Sequence, residues 1–127
     1  MKSIDAYYDF APHAERIRDH YAHAREKRPY FCDWIGPDGR HKDSRERVER
    51  ILNRLRITVE RNAKTGNLGW DDILDCEVWE VFDALIRGDK SQAVEECYDA
   101  IAVLLRTIDV LEGRQKLGKP ETKGETR

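Results

Sequence analysis

The chain has 127 residues, 39% hydrophobic and 38% charged, and a formal net charge of −2. That length suits one domain with a real core. The near-neutral balance excludes a global electrostatic pull toward nucleic acid or an anionic membrane, and the longest purely aliphatic run, Ala100 to Leu105, is far too short to cross a bilayer.

The charge is unevenly spread. Residues 40–64 hold nine Lys/Arg and four Asp/Glu, whereas residues 71–99 hold two Lys/Arg and ten Asp/Glu. A basic helix beside an acidic one suits a site that takes metal and phosphate together. Cys32, Cys76 and Cys97 lack metal-site spacing and read as reduced thiols, which predicts a cytoplasmic protein. The opening MKSIDAYYDF has no apolar run of the kind a secretory leader needs.

Residues 1–9 read as a lead-in. Pro12 suits a first helical turn, and Phe10, Ala14, Ile17, Tyr21 and Ala24 recur at amphipathic spacing to about Arg28, before Pro29. His13, His20 and His23 lie on this helix. His20 and His23 are spaced to share a metal but have no local acid or cysteine partner, so they read as solvated or capping groups. Residues 29–42 form a loop around the turn Gly36-Pro37-Asp38-Gly39. Tyr30, Phe31 and Trp34 there read as core cover, with a pocket wall as the alternative.

Asp43 reads as the cap of the second helix, with Glu46 at capping-box spacing. Val48, Ile51, Leu52, Leu55 and Val59 form its apolar stripe. Arg47, Arg54 and Arg61 run beside that stripe at seven-residue steps. They are either a solvated flank or a set of contacts for phosphate or for acids of the third helix. Gly66 and Gly69 end this helix and open the next. Asp71 and Asp72 fall in the third helix's first turn, where the dipole favours acids. Trp70 reads as core, or as a ring able to stack on a base at the mouth of a site. The third helix runs to about Arg87 with Gly88 as its stop. Asp89 caps the fourth, which reaches about Leu111. The tail 114–127 is polar and turn-rich and reads as disordered, leaving 1–113 as the folded domain.

The stretch Glu77–Asp99 organises the rest. Glu77 and Glu80 form an E-x-x-E pair; Glu96 and Asp99 form an E-x-x-D pair. On helices each is an i,i+3 pair on one face. A chain reversal at Gly88 into an antiparallel hairpin sets Glu77 opposite Asp99 and Glu80 opposite Glu96, with axes about 8–10 Å apart. Glu77 and Glu96 fall at the centre of apolar stripes, where a carboxylate is costly unless paired or metal-bound. Four converging acids need cations, and an all-oxygen donor set suits Mg²⁺. The plainer reading is a hairpin whose acids pair with arginines of another helix. The expected architecture is all-α, with a four-helix core built on this acidic hairpin. Val94, Tyr98, Ile101, Leu105 and Ile108 line the fourth helix's reverse side, and Trp79, Phe82 and Ile86 the third's. Helices apolar on both sides need two partners, so a homodimer or higher homo-oligomer is expected.

The pattern E-x-x-E, fifteen residues, E-x-x-D resembles that of the MazG-like all-α nucleoside triphosphate pyrophosphohydrolases. That superfamily also includes dimeric dUTPases and phosphoribosyl-ATP pyrophosphatases. The resemblance covers GWDDILDCEVWEVFDALIRGDKSQAVEECYDAIAVLLR, about the middle third of the chain. It implies Mg²⁺ (or Mn²⁺) ligands at Glu77, Glu80, Glu96 and Asp99, and cleavage of a nucleoside triphosphate between its α- and β-phosphates to a monophosphate and pyrophosphate. Cys76 stands where the family often has a second acid, and Ile73 where a basic residue is common. Glu77 is then the candidate base for the attacking water, and Arg106, seven residues after Asp99, a candidate phosphate contact or an ion-pair partner of the acids. Lys64 is a weaker candidate of the same kind. A helical interaction module that keeps the hairpin without turnover is the alternative. Nucleic-acid binding, resting only on the basic second helix, is weaker still.

Overall fold

The computed structural model of the protein describes residues 4–30 and 43–114, with side chains from residue 10 onward. Four helices and no strands occur among the described residues: α1 (Ile4–Lys27), α2 (Arg45–Thr65), α3 (Trp70–Ile86) and α4 (Lys90–Leu111). Helix α1 belongs to one compact unit, and α2, α3 and α4 make up the helices of a second.

Helix α1 begins several residues before the sequence suggests, so Pro12 is an interior residue and not a first-turn one. Proline's fixed φ is compatible with a helix; its cost is the missing N–H and a crowded carbonyl one turn back. His20 and His23 are exposed as expected. His13 is not: it is buried, with its ring 6.3 Å from that of Phe10. Tyr30 is almost fully exposed and covers no core. Phe31, Cys32, Trp34, the Gly36–Gly39 turn and the tail from residue 115 lie outside the described residues.

The cap of α2 falls one residue later than the sequence suggests. Ser44 holds the extended cap conformation, and its hydroxyl accepts from the Arg47 amide. Asp43 instead accepts from the Ser44 amide and pairs with the Arg47 guanidinium. Either residue type can cap a helix; the pull of Arg47 on Asp43 leaves that role to Ser44. The apolar stripe is where periodicity put it. Val48 and Leu52 are fully buried, and Ile51, Leu55 and Val59 are half-buried.

Helix α3 packs against both α2 and α4, which satisfies its two apolar sides. Cys76 and Ala84 are buried on it, and Trp79 meets Phe82 edge-on at 5.0 Å. The Arg47 guanidinium lies 6.0 Å over the Trp79 ring, a cation–π contact. Asn62 near the end of α2 donates to Asp72 at 2.9 Å. Asp72 also accepts from the Gly69 amide at 3.3 Å, so one carboxylate ties α2 to α3 and caps α3.

The α3–α4 link is Arg87, Gly88 and Asp89. Gly88 has φ +76°, a left-handed conformation that any Cβ would strain. Its amide donates to the Leu85 carbonyl at 3.0 Å, and the Asp89 amide to that of Ala84 at 2.9 Å. This double bond pattern is the Schellman stop. Asp89 then caps α4, accepting from the Gln92 amide at 3.0 Å. Two helices are therefore closed and opened within three residues.

Candidate metal centre

Helix geometry sets Glu77 and Glu80 on one face of α3, and Glu96 and Asp99 on one face of α4. Packing of α3 against α4 brings three of these four together. One carboxylate oxygen each from Glu77, Glu96 and Asp99 lies within 4.8 Å of the other two. Glu96 is 8% exposed, an acid among the most buried residues of its helix. Gln92, one turn earlier, donates to its Oε1 at 2.6 Å.

Like charges this close cannot all be carried. Glu77 is pushed up to about 7, first by burial, then by its hydrogen bond with Glu96, then by the charges of Asp99, Glu80 and Glu96. The Glu77 carboxyl thus keeps its proton to a far higher pH than a free carboxyl does. A divalent cation could replace that proton and neutralise more charge. The donor set is all carboxylate oxygen, which suits a hard divalent cation of the Mg²⁺, Mn²⁺ or Ca²⁺ kind.

Glu80 is placed differently from the expected pairing with Glu96. Its Oε1 lies 3.5 Å from the Arg56 Nε and accepts from the Cys76 thiol at 3.7 Å. Burial and the adjacent Glu80 carboxylate push the Cys76 thiol up to about 11, so it stays protonated and donating.

The arginine that reaches an α3 acid of the motif is not one of the Arg47, Arg54 and Arg61 series. Arg47 is taken by Asp43 and by the Trp79 ring. Arg54 and Arg61 line an open groove on α2 itself, with Glu46, Arg50, Ile57 and Thr58. Arg56 was legible as a candidate: it lies about 80° round the helix from Val48, on the stripe's other flank. Gln92 was also legible, four residues before Glu96 and hence its neighbour on the helix.

The remaining sequence candidates stand outside the trio. Trp70 opens α3 and is 48% exposed, so it is not core. A first-turn residue has no preceding turn of its own helix to pack beneath, and the short 66–69 link gives it no cover. Lys64 lies in the last turn of α2, and Arg106 on α4; both are exposed. Neither makes an ion pair among the described residues.

The fold and the site together define a class: a chain whose described residues fold only into helices, with a carboxylate cluster built across two packed helices. Comparison with known proteins returns no matching family model, no matching curated protein and no matching solved structure.

Proposed function

We propose that the protein is a Mg²⁺-dependent nucleoside triphosphate pyrophosphohydrolase that cleaves between the α- and β-phosphates. In this reading α3 and α4 form an antiparallel hairpin, and the working form is a cytoplasmic homodimer. The observation that carries it is the convergence of Glu77, Glu96 and Asp99 to within 4.8 Å, with one of these acids buried. The resemblance of the E-x-x-E and E-x-x-D pairs to the MazG-like motif supplies the reaction.

Glu77, Glu96 and Asp99 hold the ion, with Glu80 as a fourth ligand within reach on α3. A bound Mg²⁺ would supply charge neutralisation for triphosphate oxygens and make a water more acidic. Gln92 fixes the Glu96 carboxylate, so that ligand's orientation is set before substrate arrives. Glu77 is the candidate base of the trio: its carboxylate takes the proton of the attacking water. Arg106 and Lys64 are exposed cations able to reach for phosphate oxygens, and Trp70 is an exposed ring able to stack on a base.

A second reading keeps the helices and drops turnover. It is favoured by the exposed apolar side of α4, where Val94, Tyr98 and Ile101 face solvent and offer a partner surface. Release of pyrophosphate from a panel of ribo- and deoxynucleoside triphosphates, with Mg²⁺ and with Mn²⁺, separates the two. We expect metal-dependent pyrophosphate and the matching monophosphate. No cleavage of any nucleotide with either ion ends the enzyme reading.

A further inference from the structure

Glu80 is the one motif acid that does not join the trio, and a cation from another helix holds it. It sits one turn after Glu77 on α3, so a change of rotamer is enough to bring its carboxylate toward the same volume. Its present partner, Arg56 of α2, is half-exposed and stands 3.5 Å away. That contact has the length of an ion pair but is too long for a strong charge-assisted hydrogen bond. Glu80 is only a quarter exposed, but the arginine end of the pair is open to solvent, which screens it and makes it easier to exchange. The Cys76 thiol, a poor donor, adds a weak contact to the same oxygen. A divalent ion in the trio would attract Glu80 with twice the charge of a guanidinium.

We propose that Arg56 is a positioning residue of the acid site: it holds Glu80 to one side of the trio as a reserve ligand and gives it up when a divalent cation binds. The inference rests on the metal-binding reading above. The charge of Glu80 still reaches Glu77, but its oxygens are kept out of the trio, and α2, which holds Leu52 in the core, couples ion binding to the packing of the bundle.

The test is calorimetric titration of the full chain with Mg²⁺ alone, at low salt and without nucleotide. R56Q removes the competing cation and should tighten binding about three- to tenfold, the size of one screened unit charge near a divalent ion. E80Q should weaken binding at least about tenfold, the minimum loss for disturbing a metal's ligand set. In the R56Q/E80Q double variant the benefit of R56Q should disappear, because Arg56 acts through Glu80. A merely structural arginine would lower thermal stability and leave the affinity where it was. Unchanged or weaker affinity in R56Q overturns the proposal, and so does equal tightening in both backgrounds.

The unmutated protein offers a check independent of how R56Q folds. The Arg56 Nε–H signal should shift and exchange faster with water on adding Mg²⁺; a signal that stays fixed while the ion binds overturns the proposal. If the parent binds no Mg²⁺ at all, the metal-site reading falls and this inference with it. If the parent binds and R56Q changes nothing, only this inference falls.

Discussion

The two sides of α4 invert the usual rule of burial. Toward α3 the helix buries Ala93 and an acid, Glu96. Away from it, Val94, Tyr98, Ile101 and Ile108 are exposed, while no lysine or arginine interrupts the stripe they form. Helix α3 shows no such split, because α2 and α4 cover it from two directions. The contrast teaches that side-chain polarity alone does not decide which face of α4 turns inward. A small residue at 93 lets the helices approach, and the acid at 96 is carried inward with it. Its carboxylate is satisfied locally by the Gln92 donor.

The sharpest way to break the contrast is to remove the inward acid. Glu96→Gln keeps shape and removes charge. Pyrophosphate release should fall at least about 100-fold, beyond what loss of a hydrogen bond that merely orients a ligand costs. In the metal-free protein the same change should raise Tm, because it relieves crowding. A variant that is both active and less stable would show that the inward acid is structural. The small neighbour should matter next. Ala93→Leu overpacks the same side and should cost about 1–3 kcal/mol in urea unfolding, whereas Ala102→Leu, exposed on the same helix, should stay within about 0.5 kcal/mol. Equal costs would mean that 93 does not set the approach of α4.

The outer side is tested by assembly. Tyr98→Glu combined with Ile101→Glu should convert a homodimer into a monomer in sedimentation velocity while leaving helix content unchanged. A parent that already sediments as a monomer removes the oligomer from the proposal.

The inner side is sharpened further by pH. The Glu77 carboxyl is raised from 4.5 to about 7 in the folded, metal-free protein, so between those values the folded state binds more protons than the unfolded one. Unfolding free energy therefore falls as pH rises from about 4.5 to about 7 and flattens above. Thermal scans across that window should show Tm declining in the parent and a weaker decline in Glu77→Gln. A rising Tm in the parent would contradict the raised Glu77 carboxyl.

The smallest effect expected is at the thiols. Cys97 is exposed and Cys76 buried with its thiol pushed up to about 11, so alkylation at pH 8 should label position 97 well before position 76. Comparable rates would mean that α3 opens far more readily than its packing implies.

Much of this was legible in the chain because it is local. The helix over Arg45–Thr65 shows in the spacing of Val48, Leu52 and Val59, and the stop at Gly88 and the cap at Asp89 announce the next helix. The errors were those of neighbours competing for one role. Ser44 caps α2 because Asp43 is drawn to Arg47. Pro12 sits inside α1 despite its missing N–H, so residue type alone does not mark the start. Of the site, the acids were legible as two i,i+3 pairs, but not which three would meet.

Periodicity along the sequence determined the four helices, their faces and the pairing of acids within each helix, because backbone hydrogen bonding places residues three and four apart on one side whatever lies around them. Tertiary structure alone decided that Glu77 joins Glu96 and Asp99, that Glu80 goes to Arg56, and that Trp70 is left in solvent. Those outcomes depend on how far each helix is rotated about its axis when it packs. That rotation is set by the joint burial of residues far apart in the chain, such as Leu52, Ala84 and Ala93.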